Sequence, residues 1–330
     1  MDLNKTISSF FNERCRVGES CVVAVSGGAD SMALLYLTHH YHNHTKTGRF
    51  HRIISATVDH GLRPESSDEA KQVGKWCEGL GFEHALLTWE GPKPKAAIQK
   101  KARQARYQLL SDFCKVRGAK YLITGHHKED QLETFFLRLF KGSSVRGLAG
   151  MSAHREILDS ITLLRPLLEC TRESLEVYLK TCNQPFISDP SNDNSDFERV
   201  RLRQMITFMR QKGFNVDAIS DTIKHITIED TFVRTLTKEH RSHVFSSDTF
   251  DTKIFLRLDP FLQRELLRDI VWSLSQKNHP PKFRDVDALL QKVQEGKNFT
   301  CAGYVWRYDK DLYTLHRECK VRRAKNVPLL

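Results

Sequence analysis

The 330-residue sequence predicts an α/β protein with a doubly wound, mostly parallel sheet and a second, mainly helical C-terminal domain. Three observations support this fold class. Short apolar runs alternate with helical patterns up to about residue 125, and turn residues separate them. Such alternation is typical of a parallel sheet that is covered by helices on both faces. After Gly213 the pattern changes to longer, more polar helical stretches.

The predicted strands are four short apolar runs, which suit a sheet that is buried on both faces. They cover residues 21–25, 53–58, 85–88 and 121–124. The predicted helices begin near Asp30 and Ser66 and cover residues 96–116 and 128–142. Ser66 and Glu69 have the spacing of a capping box, which favours a helix start there. Because such sheets bind ligands at the carboxyl ends of their strands, the motifs at those ends are the candidate site.

The change of pattern predicts a domain boundary near residue 215. This gives a catalytic domain over residues 1–215 and an accessory domain over residues 216–330. The second region contains an apolar helical stretch over 262–274 and, beyond two consecutive prolines, another over 286–293. Strand-like pieces follow near 299–306 and 312–315.

The composition limits the possible partners and location. A formal net charge of +11 favours a polyanionic partner, because Lys and Arg that neutralise phosphates release counterions. A basic protein without a nucleic-acid partner is the alternative. We expect no membrane association and a cytoplasmic location, because the sequence shows neither a bilayer-spanning apolar run nor a signal-peptide pattern. The eight cysteines include no Cys-x-x-Cys pair, which argues against zinc ribbons and cysteine-ligated iron–sulfur clusters.

A turn rich in serine and glycine follows the first predicted strand and opens a helix. It consists of Ser26, Gly27, Gly28, Ala29, Asp30 and Ser31. Glycines let backbone N–H groups approach a ligand, and the helix N-terminus adds a partial positive charge, so the turn suits an anion such as pyrophosphate. Asp30 fits an anion site only if a cation bridges it, and Mg²⁺ is the natural bridge. An ordinary capped strand-to-helix turn is the alternative.

Two further segments place polar side chains near the same edge of the sheet. Asp59 and His60 follow the second strand, so we expect them to face the same cleft; a loop before a capped helix is the alternative. Arg103 and Arg106 share one face of a predicted helix. Two guanidiniums on one face can grip phosphates or charge that develops on ATP. A solvated basic face is the alternative.

Residues 125–131 follow the fourth strand and read Gly-His-His-Lys-Glu-Asp-Gln. His126 and Asp130 are four residues apart, so a helix start would set them on one side of the sheet edge. Asp130 is a candidate to hold Mg²⁺ or to position the base, and His126 to contact phosphate or transfer protons. A zinc site is an alternative, although the order differs from His-Glu-x-x-His.

The last cluster begins with the turn residues Asp189-Pro190-Ser191-Asn192 and continues as a basic helix. The arginines of this helix are Arg199, Arg201 and Arg203, the first and last of which share a helical face. A basic face that binds a polyanion and a solvated surface helix are the two alternatives.

In this order, the segments resemble the tRNA(Ile)-lysidine synthase family of PP-loop ATP pyrophosphatases. The resemblance covers roughly residues 20–205. Its motifs are Ser-Gly-Gly-x-Asp-Ser, Asp-His-x-Leu-Arg, Ala-Arg-x-x-Arg-Tyr, Gly-His-His-x-x-Asp-Gln-x-Glu-Thr, Gly-Leu-x-Gly-Met, Arg-Pro-Leu-Leu and Asp-Pro-Ser-Asn. Val200 departs from the family's usual asparagine, and residues 299–303 depart from its usual Thr-Leu-Gly-Gly turn.

The resemblance implies a PP-loop fold and a ligase reaction. ATP would adenylate the C2 oxygen of the wobble cytidine in an isoleucine tRNA with a CAU anticodon, and L-lysine would then displace AMP. Asp30, His126 and Asp130 would handle ATP and metal, with Mg²⁺ held by Asp30 and Asp130. Arg103 or Arg106 would stabilise the departing pyrophosphate. Arg199, Arg201 and Arg203 would contact tRNA, and the second domain would bind tRNA as well.

Two other functions compete with this one. A PP-loop tRNA thiolase also adenylates a base, but such enzymes usually need paired cysteines, which this sequence lacks. A non-catalytic protein that holds ATP and tRNA is the other alternative, against which the set of Asp30, His126 and Asp130 argues. The sequence does not reveal the oligomeric state, for which a homodimer is the candidate.

Overall fold

The computed structural model describes residues 2–44, 50–91, 93, 98–157, 161–187, 198–275 and 280–318. The chain divides into two compact units, Met1–Thr227 and Ile228–Leu330, called unit 1 and unit 2 below. This division falls within a long helix, whereas the domain boundary that we predict precedes that helix. No helix in the described ranges is long and apolar enough to cross a membrane.

The helices and strands of the described residues are numbered in chain order. The helices are α1 (Leu3–Arg14), α2 (Ala29–His44), α3 (Ser66–Gly79), α4 (Ile98–Val116), α5 (Lys128–Phe140), α6 (Val145–Leu148), α7 (Arg172–Thr181), α8 (Glu198–Gln211), α9 (Ala218–Val244), α10 (Thr252–Phe255), α11 (Pro260–Leu274) and α12 (Phe283–Gln294). The strands are β1 (Glu19–Ala24), β2 (Phe50–Asp59), β3 (Glu83–Thr88), β4 (Ala119–Thr124), β5 (His154–Glu156), β6 (Thr162–Leu164), β7 (Thr249–Asp251), β8 (Phe299–Cys301), β9 (Tyr304–Asp309) and β10 (Leu312–Arg317).

Unit 1 contains a six-stranded sheet in the order β3-β2-β1-β4-β6-β5. All neighbouring strands are parallel except β5 and β6, which form an antiparallel edge. The predicted α/β class with a mostly parallel sheet is therefore confirmed. The sequence pattern predicts neither β5 nor β6, because each has only three residues and β5 is exposed along its whole length.

The centre of the sheet in unit 1 is buried on both faces, as the continuous apolar run of β1 predicts. Cys21 and Val23 point into a core formed with α1, α2 and α7, whereas Val22 and Ala24 point into a second core formed with α4. Successive side chains of a strand alternate between the two faces, so a run without polar residues can fill both cores. The carboxyl ends of the strands remain as the edge where polar groups can gather.

Unit 2 combines helices with a four-stranded antiparallel sheet in the order β7-β10-β9-β8. Helices α11 and α12 pack with this sheet around an aromatic core that contains Phe250, Phe255, Trp306 and Tyr313, all fully buried. The helices and strand-like pieces that the sequence predicts after residue 260 are all present, with bounds that differ by a few residues.

Candidate active site

The turn between β1 and α2 is closed by its own serines. The Ser31 hydroxyl accepts hydrogen bonds from the N–H and the hydroxyl of Ser26, each at 3.1 Å, and donates to the Gly28 carbonyl at 2.9 Å. Gly27 has φ = +87°, and a Cβ there would lie 2.6 Å from Cγ2 of Val73. The position therefore requires glycine, both for its backbone conformation and for space.

Asp30 lies in the first turn of α2 and meets the end of β4. Gly125 follows β4 so closely that a Cβ on it would lie 2.9 Å from the Asp30 carbonyl oxygen. The missing side chain lets the two segments converge. Asp30 Oδ2 lies 3.5 Å from Nε2 of His127, while Asp30 Oδ1 is buried without a hydrogen-bond partner.

His127 joins the two carboxylates that the sequence selects. Its Nε2 lies 3.6 Å from Asp130 Oδ2, its backbone N–H donates to the same oxygen at 3.1 Å, and its Nδ1 lies 2.9 Å from Glu129 Oε2. Burial alone would lower the pKa of His127, but the contacts with Asp30 and Glu129 and the charge of Asp130 outweigh burial and raise this pKa to about 10. An imidazolium therefore sits between Asp30 and Asp130.

The sequence predicts no role for His127. Its spacing favours the preceding histidine, which is four positions before Asp130. A usable signal existed, since His127 precedes the helix directly and Asp130 occupies its third position, the arrangement of a reciprocal cap.

His126 belongs to a different environment. Its Nδ1 lies 2.9 Å from the Thr124 hydroxyl. Burial, followed by the positive charges of nearby arginines, lowers the pKa of His126 to about 2, so the imidazole is neutral at physiological pH. The arginines responsible are Arg165, Arg106, Arg103 and Arg199. His126 thus faces cations, whereas Asp130 contacts His127.

A cavity of about 540 Å³ opens at the carboxyl ends of β1 and β2. Its lining includes Ser26, Asp59, His60, Ser66 and Arg106, which confirms that the ends of the first two strands share one cleft. Asp59 is 8% exposed, and its Oδ1 accepts from Gly61 N–H and from the Ser66 hydroxyl, both at 2.8 Å.

The capping box predicted at Ser66 and Glu69 is wrong. Helix α3 does begin at Ser66, but its N-cap residue is Glu65, which makes no side-chain cap. The Ser66 hydroxyl turns to Asp59, and Glu69 pairs with Arg63 at 2.8 Å. The tertiary contact with the strand end therefore replaces the local cap.

The two arginines of α4 differ in burial. Arg103 is exposed, with its guanidinium 5.2 Å from the centre of the Tyr107 ring. Arg106 is half-buried and lines the cavity, and its burial lowers its pKa. A guanidinium nevertheless stays charged at neutral pH.

The three arginines of α8 also differ in their contacts and exposure. Arg203 Nε and Nη2 each lie 2.9 Å from Oε1 of Glu133, a carboxylate that is 1% exposed. Arg201 is exposed, and Arg199 is half-buried with its charge acting on His126. Glu133, which received no role from the sequence, thus binds Arg203 internally. The turn that starts at Asp189 lies outside the described residues.

The donor set of Asp30 and Asp130 suits Mg²⁺ better than zinc. Among the described residues, no group of three or more His, Cys, Asp or Glu could hold a metal ion. Mg²⁺ typically takes one or two carboxylates and completes its shell with phosphate oxygens and water. The unpartnered, buried Oδ1 of Asp30 fits that requirement.

The parallel sheet, the serine–glycine turn and the carboxylate pair define a PP-loop protein. Residues 1–209 match the family described as PP-loop domain, which implies ATP binding. Relatives called tRNA(Ile)-lysidine synthase are similar along most of the chain. The one from Wolbachia pipientis wMel is 30% identical over 100% of this chain and 78% of its own length. The one from Bradyrhizobium diazoefficiens is 37% identical over 83% of this chain and 78% of its own.

A third relative, from Rhodopseudomonas palustris, is 33% identical over 85% of this chain and 82% of its own length. The chain belongs to the tRNA(Ile)-lysidine synthase family and is an ATP-dependent ligase that modifies tRNA. Its fold is also similar to that of the U34-tRNA thiolase NcsA from Methanococcus maripaludis, with a TM-score of 0.58, 14% identity, and coverage of 68% of this chain and 78% of that one. At this identity the likeness shows the fold alone.

Proposed function

We propose that the protein ligates L-lysine to C2 of the wobble cytidine of an isoleucine tRNA with a CAU anticodon. ATP is consumed, AMP and pyrophosphate are released, and the codon read changes from AUG to AUA. The observation that supports this best is the pair Asp30 and Asp130, bridged by His127 directly beside the PP-loop turn.

In the first step the C2 oxygen of the cytosine attacks the α-phosphorus of ATP, and pyrophosphate leaves. The turn of residues 26–31 binds the leaving diphosphate through backbone N–H groups at the start of α2. Arg106 reaches into the cavity and stabilises the charge that develops as the phosphate bond breaks. Mg²⁺ held by Asp30 and Asp130 would supply a Lewis acid for the same charge.

In the second step the lysine amine attacks C2, and the adenylated oxygen leaves as AMP. The amine must lose a proton before or during attack. With a pKa near 2, His126 is a weak proton acceptor, so its neutral ring serves better as a hydrogen-bond donor to phosphate oxygen. This favours the phosphate-contact role among the two that the sequence suggests for His126.

Incubation with ATP, labelled lysine and isoleucine tRNA, followed by mass analysis of the nucleosides, tests the reaction. Labelled lysidine at the wobble position is the expected product. Sulfur in place of oxygen would indicate the thiolase alternative, and binding of ATP and tRNA without release of pyrophosphate would indicate the non-catalytic one. We further propose a cytoplasmic homodimer, which sedimentation analysis of the purified protein would test.

A further inference from the structure

A stripe of exposed side chains runs along the outer face of α8. Residues three or four positions apart in a helix share one face. On α8 and the residue that follows it, this spacing connects four exposed side chains, Arg201, Gln204, Phe208 and Lys212. The opposite face is apolar, since Leu202 and Ile206 are buried and pack in one core with residues of α5. The helix therefore does not need the stripe for its own packing.

Phe208 is the apolar member of this stripe. It is 57% exposed, and Nζ of Lys212 lies 5.5 Å from the centre of its ring. An ammonium group at that distance is attracted to the electrons of the ring. The ring thus has a cation beside it, while more than half of the residue remains in contact with water. Covering such a ring with another flat, apolar surface is favourable.

We propose that Phe208 is a platform on which an unpaired base of the tRNA stacks, and that Lys212 contacts a neighbouring phosphate. Proteins that bind single-stranded RNA combine positive groups along the backbone with aromatic rings on which bases stack. The stripe has this composition, because the ring lies between Arg201 and Lys212 on one helical face. The proposal rests on the proposed function for the identity of the RNA.

The position of α8 places the stripe near the reacting base. Arg203 of this helix contacts Glu133 on α5, one helical turn after Asp130. Phe208 follows Arg203 by about 7.5 Å along the helix axis. The wobble cytidine belongs to the anticodon loop, whose bases are unpaired. A base on Phe208 would therefore belong to the same loop as the cytidine that reacts near Asp130.

The charges of the stripe favour RNA over a second copy of the chain. In a two-fold dimer the same patch of both subunits meets. Such contact would bring Arg201 and Lys212 of one subunit close to the same cations of the other, and like charges across an interface are unfavourable. The phosphates of RNA have the opposite sign and match both side chains.

An anticodon stem–loop RNA of isoleucine tRNA with the CAU anticodon is the probe, titrated at several salt concentrations without ATP or lysine. Phe208→Ala should raise the Kd on the order of tenfold, the loss expected for one stacked base. Its salt slope should equal that of the wild type, because no phosphate contact is removed. Lys212→Gln should instead reduce the salt slope by about one.

Phe208→Trp gives a second and more direct measurement. It should bind the stem–loop with a Kd close to that of the wild type, because an aromatic ring remains. A base that stacks on the indole should quench its fluorescence beyond any change in the four native tryptophans. Val177→Ala is the matched control, because Val177 is 54% exposed on α7, and this variant should bind like the wild type.

The proposal is overturned if Phe208→Ala leaves the Kd unchanged or lowers the salt slope, or if the emission of Phe208→Trp does not respond to RNA. Absence of stem–loop binding by the wild type would overturn it as well. Loss of a dimer in Phe208→Ala, measured by sedimentation, would instead identify the stripe as a subunit interface. Normal stem–loop binding without lysidine formation would refute the proposed ligation alone and leave the stacking role intact.

Discussion

The ion-paired arginines of unit 2 contrast with one group of arginines in unit 1. In unit 2, Arg241 pairs with Asp269 at 2.7 Å and Arg264 with Asp287 at 2.6 Å. In unit 1, Arg63 and Arg203 are ion-paired as well, whereas the four arginines whose charges lower the pKa of His126 form no ion pair with a carboxylate among the described residues. An arginine that pairs with a carboxylate is already neutralised, whereas an unpaired, partly buried arginine can still bind an anionic ligand.

Unpartnered polar atoms alone do not make this distinction. Trp306 Nε1 in the aromatic core of unit 2 is buried without a partner, as are Asp30 Oδ1 and Glu133 Oε2 in unit 1. The indole is neutral, so its burial costs about the free energy of one hydrogen bond to water. A buried carboxylate oxygen without a partner is more costly, and it can be compensated by a cation or a donor from substrate.

The largest expected effect is on catalysis by the carboxylate pair. Asp30→Ala or Asp130→Ala should reduce AMP formation by about 10³-fold or more, because the charge on the leaving diphosphate is no longer neutralised. The far-UV spectrum and the unfolding midpoint report whether the fold survives. Asp68→Ala, which removes an exposed carboxylate of α3, serves as the control and should retain full activity. Normal turnover in either active-site variant would eliminate the proposed site.

The next effect separates two arginines of α8. Arg203→Ala should lower the free energy of unfolding by about 1–3 kcal/mol, because it leaves the buried Glu133 without its partner. Arg201→Ala removes an exposed side chain and should leave stability nearly unchanged. Urea unfolding of both variants measures the difference.

The three arginines of α8 also remain candidates for tRNA binding. Replacement of Arg199, Arg201 or Arg203 by alanine should weaken tRNA binding and reduce its salt slope by about one for each phosphate that is no longer neutralised. Equal salt slopes for wild type and all three variants would rule out contact with the tRNA backbone.

Adjacent histidines should give stability opposite pH dependences. His127 has a folded pKa of about 10, above its ordinary value of 6.5, so the stability that it contributes is full below pH 6.5 and is lost as pH rises toward 10. His126 has a folded pKa of about 2, so its contribution is present above pH 6.5 and is lost as pH falls toward 2. The midpoint of urea unfolding would be measured from about pH 4 to about pH 9 for the wild type, His126→Gln and His127→Gln. Identical pH profiles in all three proteins would contradict both assignments.

The smallest effect concerns a turn of unit 2. Ala302 has φ = 54°, a left-handed conformation that disfavours side chains with a Cβ. Ala302→Gly should therefore stabilise the protein by about 1 kcal/mol. Gly27→Ala in the PP-loop turn should do the reverse, since its Cβ would meet both Val73 and Ile187 within 3 Å. Thermal unfolding should show a higher midpoint for Ala302→Gly and a lower midpoint for Gly27→Ala than for the wild type.

The sequence alone is sufficient to predict the four parallel strands β1 to β4 of unit 1 and the motifs that follow them. The apolar run of β1 requires burial on both faces, and the turn at Gly27 follows from local backbone chemistry. Residue type and spacing are sufficient to find these features, although the space restriction at Gly27 comes from the distant residues Val73 and Ile187.

The contacts between these side chains depend on the tertiary structure. Sequence spacing paired His126 with Asp130, but the close approach of Gly125 to α2 brings His127 between Asp30 and Asp130. Likewise, Arg165 donates a hydrogen bond to Tyr107, which lies on a helix far away in the chain. Such contacts depend on how strands and helices pack. After β4, neighbouring side chains point in different directions, so His127 contacts Asp30 and Asp130 while His126 contacts Thr124.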